Sequence, residues 1–341
     1  MIKKGIKTIS IILVIACLFS TTSCSALFDA LKDIENELNT DKQTVIETET
    51  QTGTETNPDS DLEEDEEENS NPNNLPYYRR EGDYIYFGSY PQTIKSEDVE
   101  ITETQNEKGY FLGSDGKYYA KVIADPFEEE GYVFSTREAV VKDNVYYFKV
   151  EPIKWRILSE KDGNAFLLCD SIIDNQAYHN DFFEGSNKYI DSTIRQWLNE
   201  QFYETAFEKY QREIIITTHV DNSSSTSGDI GNSSKATDDK IFLLAYTEVC
   251  EGDYGFTHST LTEANTRKKV TSDYTRANGV YMNKVTEYFG NGNWWLRSPS
   301  PYDSEFVKSV TIKGTLYETS YFFSETCNGV VPALWIELDG N

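Results

Sequence analysis

The sequence predicts an α+β fold, a single loop-rich domain of short antiparallel strands with a few inserted helices. Three observations carry this expectation. Aromatic and β-branched runs recur along the chain, and Asp-Gly pairs and other turn formers punctuate them. Only one stretch has a long amphipathic helical stripe. No internal repeat is visible. The domain expected to fold this way spans residues 77–341 of the 341-residue chain.

Its elements follow in order. "YIYFGSYPQ" (Tyr84 to Gln92) reads as an aromatic strand ending in a turn. "YFLGSDGKYYAKVI" (Tyr110 to Ile123) sets Asp115-Gly116 between two β-rich runs, a hairpin signature. In "VYYFKVEPIKWRILSEKDGNAFLLCDSII" (Val145 to Ile173), Ile153, Trp155 and Ile157 alternate with Lys154, Arg156 and Leu158. Asp162-Gly163 turns this chain back on itself, and Pro152 is expected to start the strand, where a missing N–H matters least. "STIRQWLNEQFYETAF" follows with Thr193 and Gln196 at capping-box spacing. Its Ile194, Trp197, Leu198 and Phe202 form the apolar stripe, and Arg195, Gln196, Asn199 and Glu200 are expected to face water. A short helix from Ala206 to Glu213 leads to the strand "IIITTHV". Asp221 to Asp239 reads as a long polar loop, and loops of that length are often functional. "KIFLLAYTEVCEG" gives a further strand, "TSDYTRANG" a capped helix ending at Gly279, and three β runs close the chain.

The segments before residue 77 read differently. Three lysines precede an apolar run from Ile9 to Phe19, and small residues lead to Cys24. This is the layout of an export signal over residues 1–23. The run is too short for a comfortable membrane span of about 20 residues. A cysteine after the small residues resembles a bacterial lipoprotein signal, in which that cysteine is lipidated and becomes the first mature residue. The usual leucine is missing from Thr21-Thr22-Ser23-Cys24. A rival site ends "VIAC" at Cys17, and Cys24 is favoured because Cys17 leaves too short an apolar core. The resemblance implies an exported protein on the outer face of the cell membrane, with the cytoplasmic membrane as partner through a lipid at Cys24.

Residues 24–76 are expected to be a disordered acidic spacer. "DLEEDEEENSNPNN" has one apolar residue, too little to fold, and its charges repel. About 50 such residues span roughly 40 Å as a coil. The leading segment carries +3 and the spacer −14, which leaves −16 of the net −27 on residues 77–341. That balance excludes a nucleic-acid partner, which needs a basic footprint.

Five motifs taken in order resemble a known family. They are "FGSYPQ" (Phe87 to Gln92), "PIKWRIL" (Pro152 to Leu158), "STIRQWLN" (Ser192 to Asn199), "WWLRSPS" (Trp294 to Ser300) and "GVVPALW" (Gly329 to Trp335). They are similar to an uncharacterised domain frequent in exported proteins of Gram-positive anaerobic bacteria. More distantly, the pattern resembles the C-type-lectin-like fold of sulfatase-modifying, formylglycine-generating proteins. That likeness implies a compact fold with long loops, whose members bind peptides, glycans or variable ligands and only sometimes catalyse. Two positions depart from the pattern. Val331 stands where the family has arginine, and Ser300 where it has glycine. The first departure weakens any shared activity that would need the arginine.

No catalytic residue, metal ligand or cofactor is assigned. The three histidines, His179, His219 and His258, lie in no recognisable elbow, metal-helix or phosphate-loop motif. With Cys24 lipidated, Cys169, Cys250 and Cys327 are an odd set, expected to be mostly free, buried thiols. Formylglycine-type oxidation needs a cysteine pair near the C-terminus, and only Cys327 lies there. The 58 acidic residues guarantee some close carboxylate pairs, so abundance alone does not identify a glycosidase.

The remaining signal is aromatic: 23 Tyr, 18 Phe and 5 Trp. Such side chains stack on sugars and anchor peptides, and they also fill cores. In "WWLRS", strand alternation sends Trp294 and Trp295 to opposite faces, with Arg297 on the side of Trp295. Trp295 and Arg297 are therefore the candidate ligand-binding shelf, with a structural role for the arginine weighed beside it. The favoured function is a non-catalytic glycan- or peptide-binding module. An extracellular glycan hydrolase and a purely structural surface domain are the alternatives.

Overall fold

The computed structural model describes residues 75–181, 185–228 and 234–338. Cys17, Cys24 and the acidic stretch lie outside the described residues. Many antiparallel strands and few, short helices make up a mixed fold dominated by sheet, with 37 % strand against 15 % helix.

The first sheet forms early in the chain. Its strands are β1 (Arg79–Glu81), β2 (Tyr84–Ile94), β3 (Ile101–Gln105), β4 (Phe111–Gly113), β5 (Tyr118–Ile123), β6 (Val145–Lys161) and β7 (Asn164–Cys169). β6 is its spine. β2 runs along one edge of β6, while β5 and β7 share the other edge in succession. Pro152 sits where β6 has left β5 and not yet met β7, so its missing N–H breaks no ladder bond there. It lies inside the strand and does not start it. The turn to β7 is as expected: Asp162 and Gly163 both have positive φ, the signature of a tight primed turn.

One register detail corrects the alternation. Ile153 and Trp155 are fully buried, but the ladder slips between Ile157 and Ser159. The bulge turns Leu158 inward and leaves Ile157 half-buried.

After Cys169 the chain crosses to a second sheet through the buried Ile172 and Ile173. β8 (Asp174–Asn175) is its edge. Two ribbons follow, of β9 (Thr218–Val220) with β10 (Thr237–Asp239), and of β12 (Lys269–Val270) with β13 (Asn291–Gly292). β11 (Phe242–Leu243) lies between them in sequence and joins the first sheet. The second sheet is completed by β14 (Trp294–Pro299), β15 (Phe306–Val310), β16 (Leu316–Phe322) and β17 (Gly329–Val330), in the order β16-β15-β14-β17-β8. The chain then returns to the first sheet as β18 (Pro332–Glu337), between β7 and β11. Val331 is the crossing residue and is fully buried. An apolar side chain suits that place.

The helical stretch starts one residue earlier than expected. Ser192 is the N-cap, its Oγ accepting from Arg195 N at 3.3 Å. Thr193–Trp197 is α-helical, Leu198–Phe202 widens to a π turn, and Tyr203–Ala206 resumes the α form. The stripe Ile194, Leu198 and Phe202 is fully buried, and Trp197 packs against the same core. Arg195 and Asn199 do not face water. Arg195 Nε pairs with the buried Asp239 at 2.7 Å, and Asn199 Oδ1 accepts from Lys240 N at 2.7 Å. These two side chains tie the helix to the end of the segment that the sequence presented as a loop and to the strand that follows it. That segment contains a short helix, Ser224–Ser227, and β10. The expected helix at Asp273–Ala277 is present, capped by Ser272 and followed by Gly279 at φ +97.

Candidate functional site

The WWLRSP strand is interior on both faces. Trp294 and Trp295 are each 0 % exposed, and Arg297 is 3 % exposed. Alternation places the two indoles on opposite faces of β14, as expected. Yet β14 lies between β15 and β17, and material covers both of its faces. Each indole N–H finds a backbone carbonyl, Trp294 on Arg267 O at 3.1 Å and Trp295 on Gln176 O at 3.0 Å. The surface shelf expected at Trp295 and Arg297 is therefore corrected: neither side chain meets solvent.

Arg297 is instead an internal tie. Its guanidinium makes a fork on Glu248, at 2.5 Å and 2.8 Å. The remaining donors reach Leu243 O at 2.8 Å, Asp221 O at 3.1 Å and Asn222 Oδ1 at 3.2 Å. One side chain thus holds three segments together. Burial opposes its charge, and Glu248 more than offsets that, so its pKa moves up from the ordinary arginine value.

Side chains of the other motifs also reach the interior. Trp155 Nε1 donates to Phe87 O at 2.7 Å, joining "PIKWRIL" to "FGSYPQ". Gly88 of that motif has φ +68, and a Cβ there would sit 2.6 Å from the Phe207 ring. The glycine lets β2 approach the end of the helical stretch. Trp335 stacks on Phe166 with ring planes 7° apart.

An aromatic-lined hollow lies elsewhere, between the β3–β5 meander and the end of the helical stretch. Its volume is about 280 Å³, and Asn106, Lys108, Tyr110, Lys117, Tyr118 and Glu208 are among the side chains that form its wall. Local turn chemistry builds this wall. Asn106 Oδ1 accepts from Lys108 N at 3.1 Å and Tyr110 N at 2.9 Å, which fixes the β3–β4 loop. Asp115 does the same on the next turn, accepting from Lys117 N at 3.0 Å and from the Tyr119 hydroxyl at 2.8 Å. Across the hollow, Glu208 caps the Lys209–Arg212 helix in a capping box with Gln211. Lys108 closes one side, donating to Glu208 at 2.8 Å and to Thr205 O at 3.0 Å. Tyr118 is 39 % exposed and Tyr110 is half-buried.

A buried carboxyl stands near this wall. Asp174 on β8 is 5 % exposed, and the Tyr90 hydroxyl and Asn175 N both donate to it. Burial pushes its pKa up to about 6, against those hydrogen bonds. Tyr274 packs edge-on to Tyr90 at 5.8 Å. Burial and the Asp174 charge push Tyr110 up to about 12. The phenols therefore stay neutral donors at any physiological pH.

The sequence missed Tyr110 and Tyr118 as site residues, although their hairpin was visible. The signal was the closely spaced set Tyr110, Lys117, Tyr118 and Tyr119 around a turn. Cys169, Cys250 and Cys327 are free thiols, as expected, and the two most buried, Cys169 and Cys327, have pKa values pushed up to about 11 by burial. His219 is exposed and 2.8 Å from Asp238, His258 is exposed, and His179 lies against Phe323. Among the described residues no cluster of His, Cys, Asp and Glu could hold a metal ion, and no helix is long and apolar enough to cross a membrane.

Fold and hollow together define a sheet-dominated domain with buried tryptophan motifs and an aromatic-lined pocket. A family model described as a domain of unknown function, DUF6273, matches residues 162–338, and the chain belongs to that family. The match begins in the β6–β7 turn, so β1 to β6, with Tyr110 and Tyr118, precede it. No curated protein and no solved structure matches the chain.

Proposed function

We propose that this chain is a lipid-anchored, cell-surface module that binds a glycan without turning it over. The single observation that supports this reading is the hollow at Tyr110 and Tyr118. Flat aromatic faces beside Asn, Lys and Glu side chains suit a sugar, which has apolar C–H faces and a rim of hydroxyls. The anchoring lipid is at Cys24, and the C-type-lectin-like likeness of the closing motifs agrees with a ligand-binding role. Among the buried carboxyls, Asp174 has a pKa suited to general acid catalysis. Its burial and its bond to Tyr90 keep it from a sugar in the hollow, so the hydrolase reading stands second.

The test is a screen of the mature chain against cell-wall and host oligosaccharides, followed by titration of each hit. Tyr118→Ala is expected to weaken binding by about tenfold, in line with the loss of one stacked ring. Tyr110→Ala is expected to do the same. Binding that survives both changes would place the ligand elsewhere. Shortening of the oligosaccharide would establish the hydrolase, and selective binding of peptides would change the ligand class. An absence of any ligand would leave a purely structural surface domain.

A further inference from the structure

A second site is built on β6, away from the aromatic hollow. Lys154 and Asp170 face each other across the β6–β7 pair, with Asp170 N donating to Lys154 O at 2.9 Å and Lys154 Nζ 2.9 Å from Asp170 Oδ2. Arg156 is two residues further along the same face, opposite Leu168. Lys269, from β12, is 2 % exposed and reaches the neighbouring Cys169 carbonyl at 2.6 Å. Three cations thus share one carboxylate, in a chain whose net charge is −27.

The guanidinium of Arg156 has one unpartnered edge. Its Nε and Nη2 are both buried, and neither has a hydrogen-bond partner among the described residues. These two nitrogens form one edge of the group, and their N–H bonds run parallel. That edge is the side-on fork which matches two oxygens of a carboxylate, sulfate or phosphate. The plane is held in place, since Phe256 lies under it with its ring centre 4.6 Å from the guanidinium carbon. Gly255, at φ +74, lies against the other end of the group, where a Cβ would come within 3.4 Å of Nη1. Lys154 covers the Tyr84 ring at 3.8 Å and supplies a second charge close by.

We propose that this edge of Arg156 binds a small oxyanion, with Lys154 and Lys269 providing the surrounding positive field. Two waters would satisfy the fork's hydrogen bonds but would leave three cations with the single carboxylate of Asp170, and poorly compensated charge away from water is costly. Loss of solvent disfavours the charge on both cations. Burial lowers the pKa of Arg156, and that of Lys269 falls to about 8. An anion relieves both at once.

The experiment measures thermal unfolding of the mature chain with chloride replaced by phosphate, sulfate or acetate at fixed ionic strength. Sulfate and phosphate also stabilise proteins by general exclusion, so the comparison with a variant decides. Arg156→Met keeps the side-chain stem on Phe256 and removes the fork. Arg156→Lys keeps the charge and removes only the fork. The wild-type midpoint is expected to rise by about 3 °C at tenfold excess over the dissociation constant, and to saturate. Neither variant should show the saturable part. A response to acetate alone assigns a carboxylate ligand, and a response to phosphate or sulfate assigns a tetrahedral one. Equal shifts in wild type and Arg156→Met overturn the proposal. Should both variants fail to fold, calorimetric titration of the wild type with the three anions decides, and an absence of saturable binding overturns it.

Discussion

At the scale of single residues, the motif arginine is the most informative. Arg297 donates to Glu248 and to three other acceptors while 3 % exposed. A buried charge in that state is stable only as long as every partner remains. Arg297→Met should therefore cost about 3–5 kcal/mol, because it strands Glu248 and three acceptors together. Urea unfolding measures this. A cost below about 1 kcal/mol would mean the fork contributes little and the strand holds itself. Changing Glu248 to Leu in the same chain should recover part of the loss, since no charge is then left alone. The sequence carried half of this residue's description. Alternation along β14 is visible in "NWWLRSPSP", and it separates the indoles correctly. Whether the second face is wet depends on strands far away in the chain, and no local pattern reports that. The same limit hid Lys269, Arg267 and Lys308, three buried cations that look like surface residues in the sequence.

At the scale of elements, hairpins were legible and their junctions were not. Asp162-Gly163 and Asp115-Gly116 turn where their dipeptides require. The bulge after Ile157 and the π turn at Leu198–Phe202 leave no comparable mark, because each answers a packing demand from another element. The junction of β8, β2 and the Asp273–Ala277 helix also came from tertiary structure alone. It brings Asp174, Tyr90 and Tyr274 together, and it titrates. The folded state raises the Asp174 pKa to about 6, so it favours the protonated form. Below pH ~4 both folded and unfolded chains are protonated there, and stability is unaffected. As pH rises from ~4 through ~6, the unfolded chain releases its proton first, and stability falls. Above that range the loss is constant, on the order of 3 kcal/mol. Asp174→Asn removes this titration and keeps an acceptor for Tyr90. The stability of Asp174→Asn relative to wild type should thus grow by roughly that amount between pH 4 and 7, then level off. Paired denaturant curves across the range would reveal it. A difference that stays flat would place the ordinary carboxylate pKa on Asp174.

At the scale of the whole molecule, the first described residues are tied into the core. Tyr77 packs against the main core and lies 5.8 Å, ring to ring, from Tyr210. Gln211 Nε2 donates to Tyr77 O at 3.0 Å. Tyr77 thus has packing and hydrogen-bond partners of its own in the core. Membrane attachment and folding should then be separable properties of one chain. The chain extracted from membranes should have the mass of residues 24–341 with a diacylglyceryl group on Cys24. Two acyl chains, each methylene contributing about 0.8 kcal/mol, hold such a protein stably at a bilayer. Cys24→Ser should leave the chain unlipidated, while its unfolding midpoint stays that of the wild type. A mass that begins at Cys17 would move the anchor seven residues back. An unlipidated native chain would remove the anchor from the proposal. A shifted midpoint in Cys24→Ser would show that the segment before Tyr77 supports the fold.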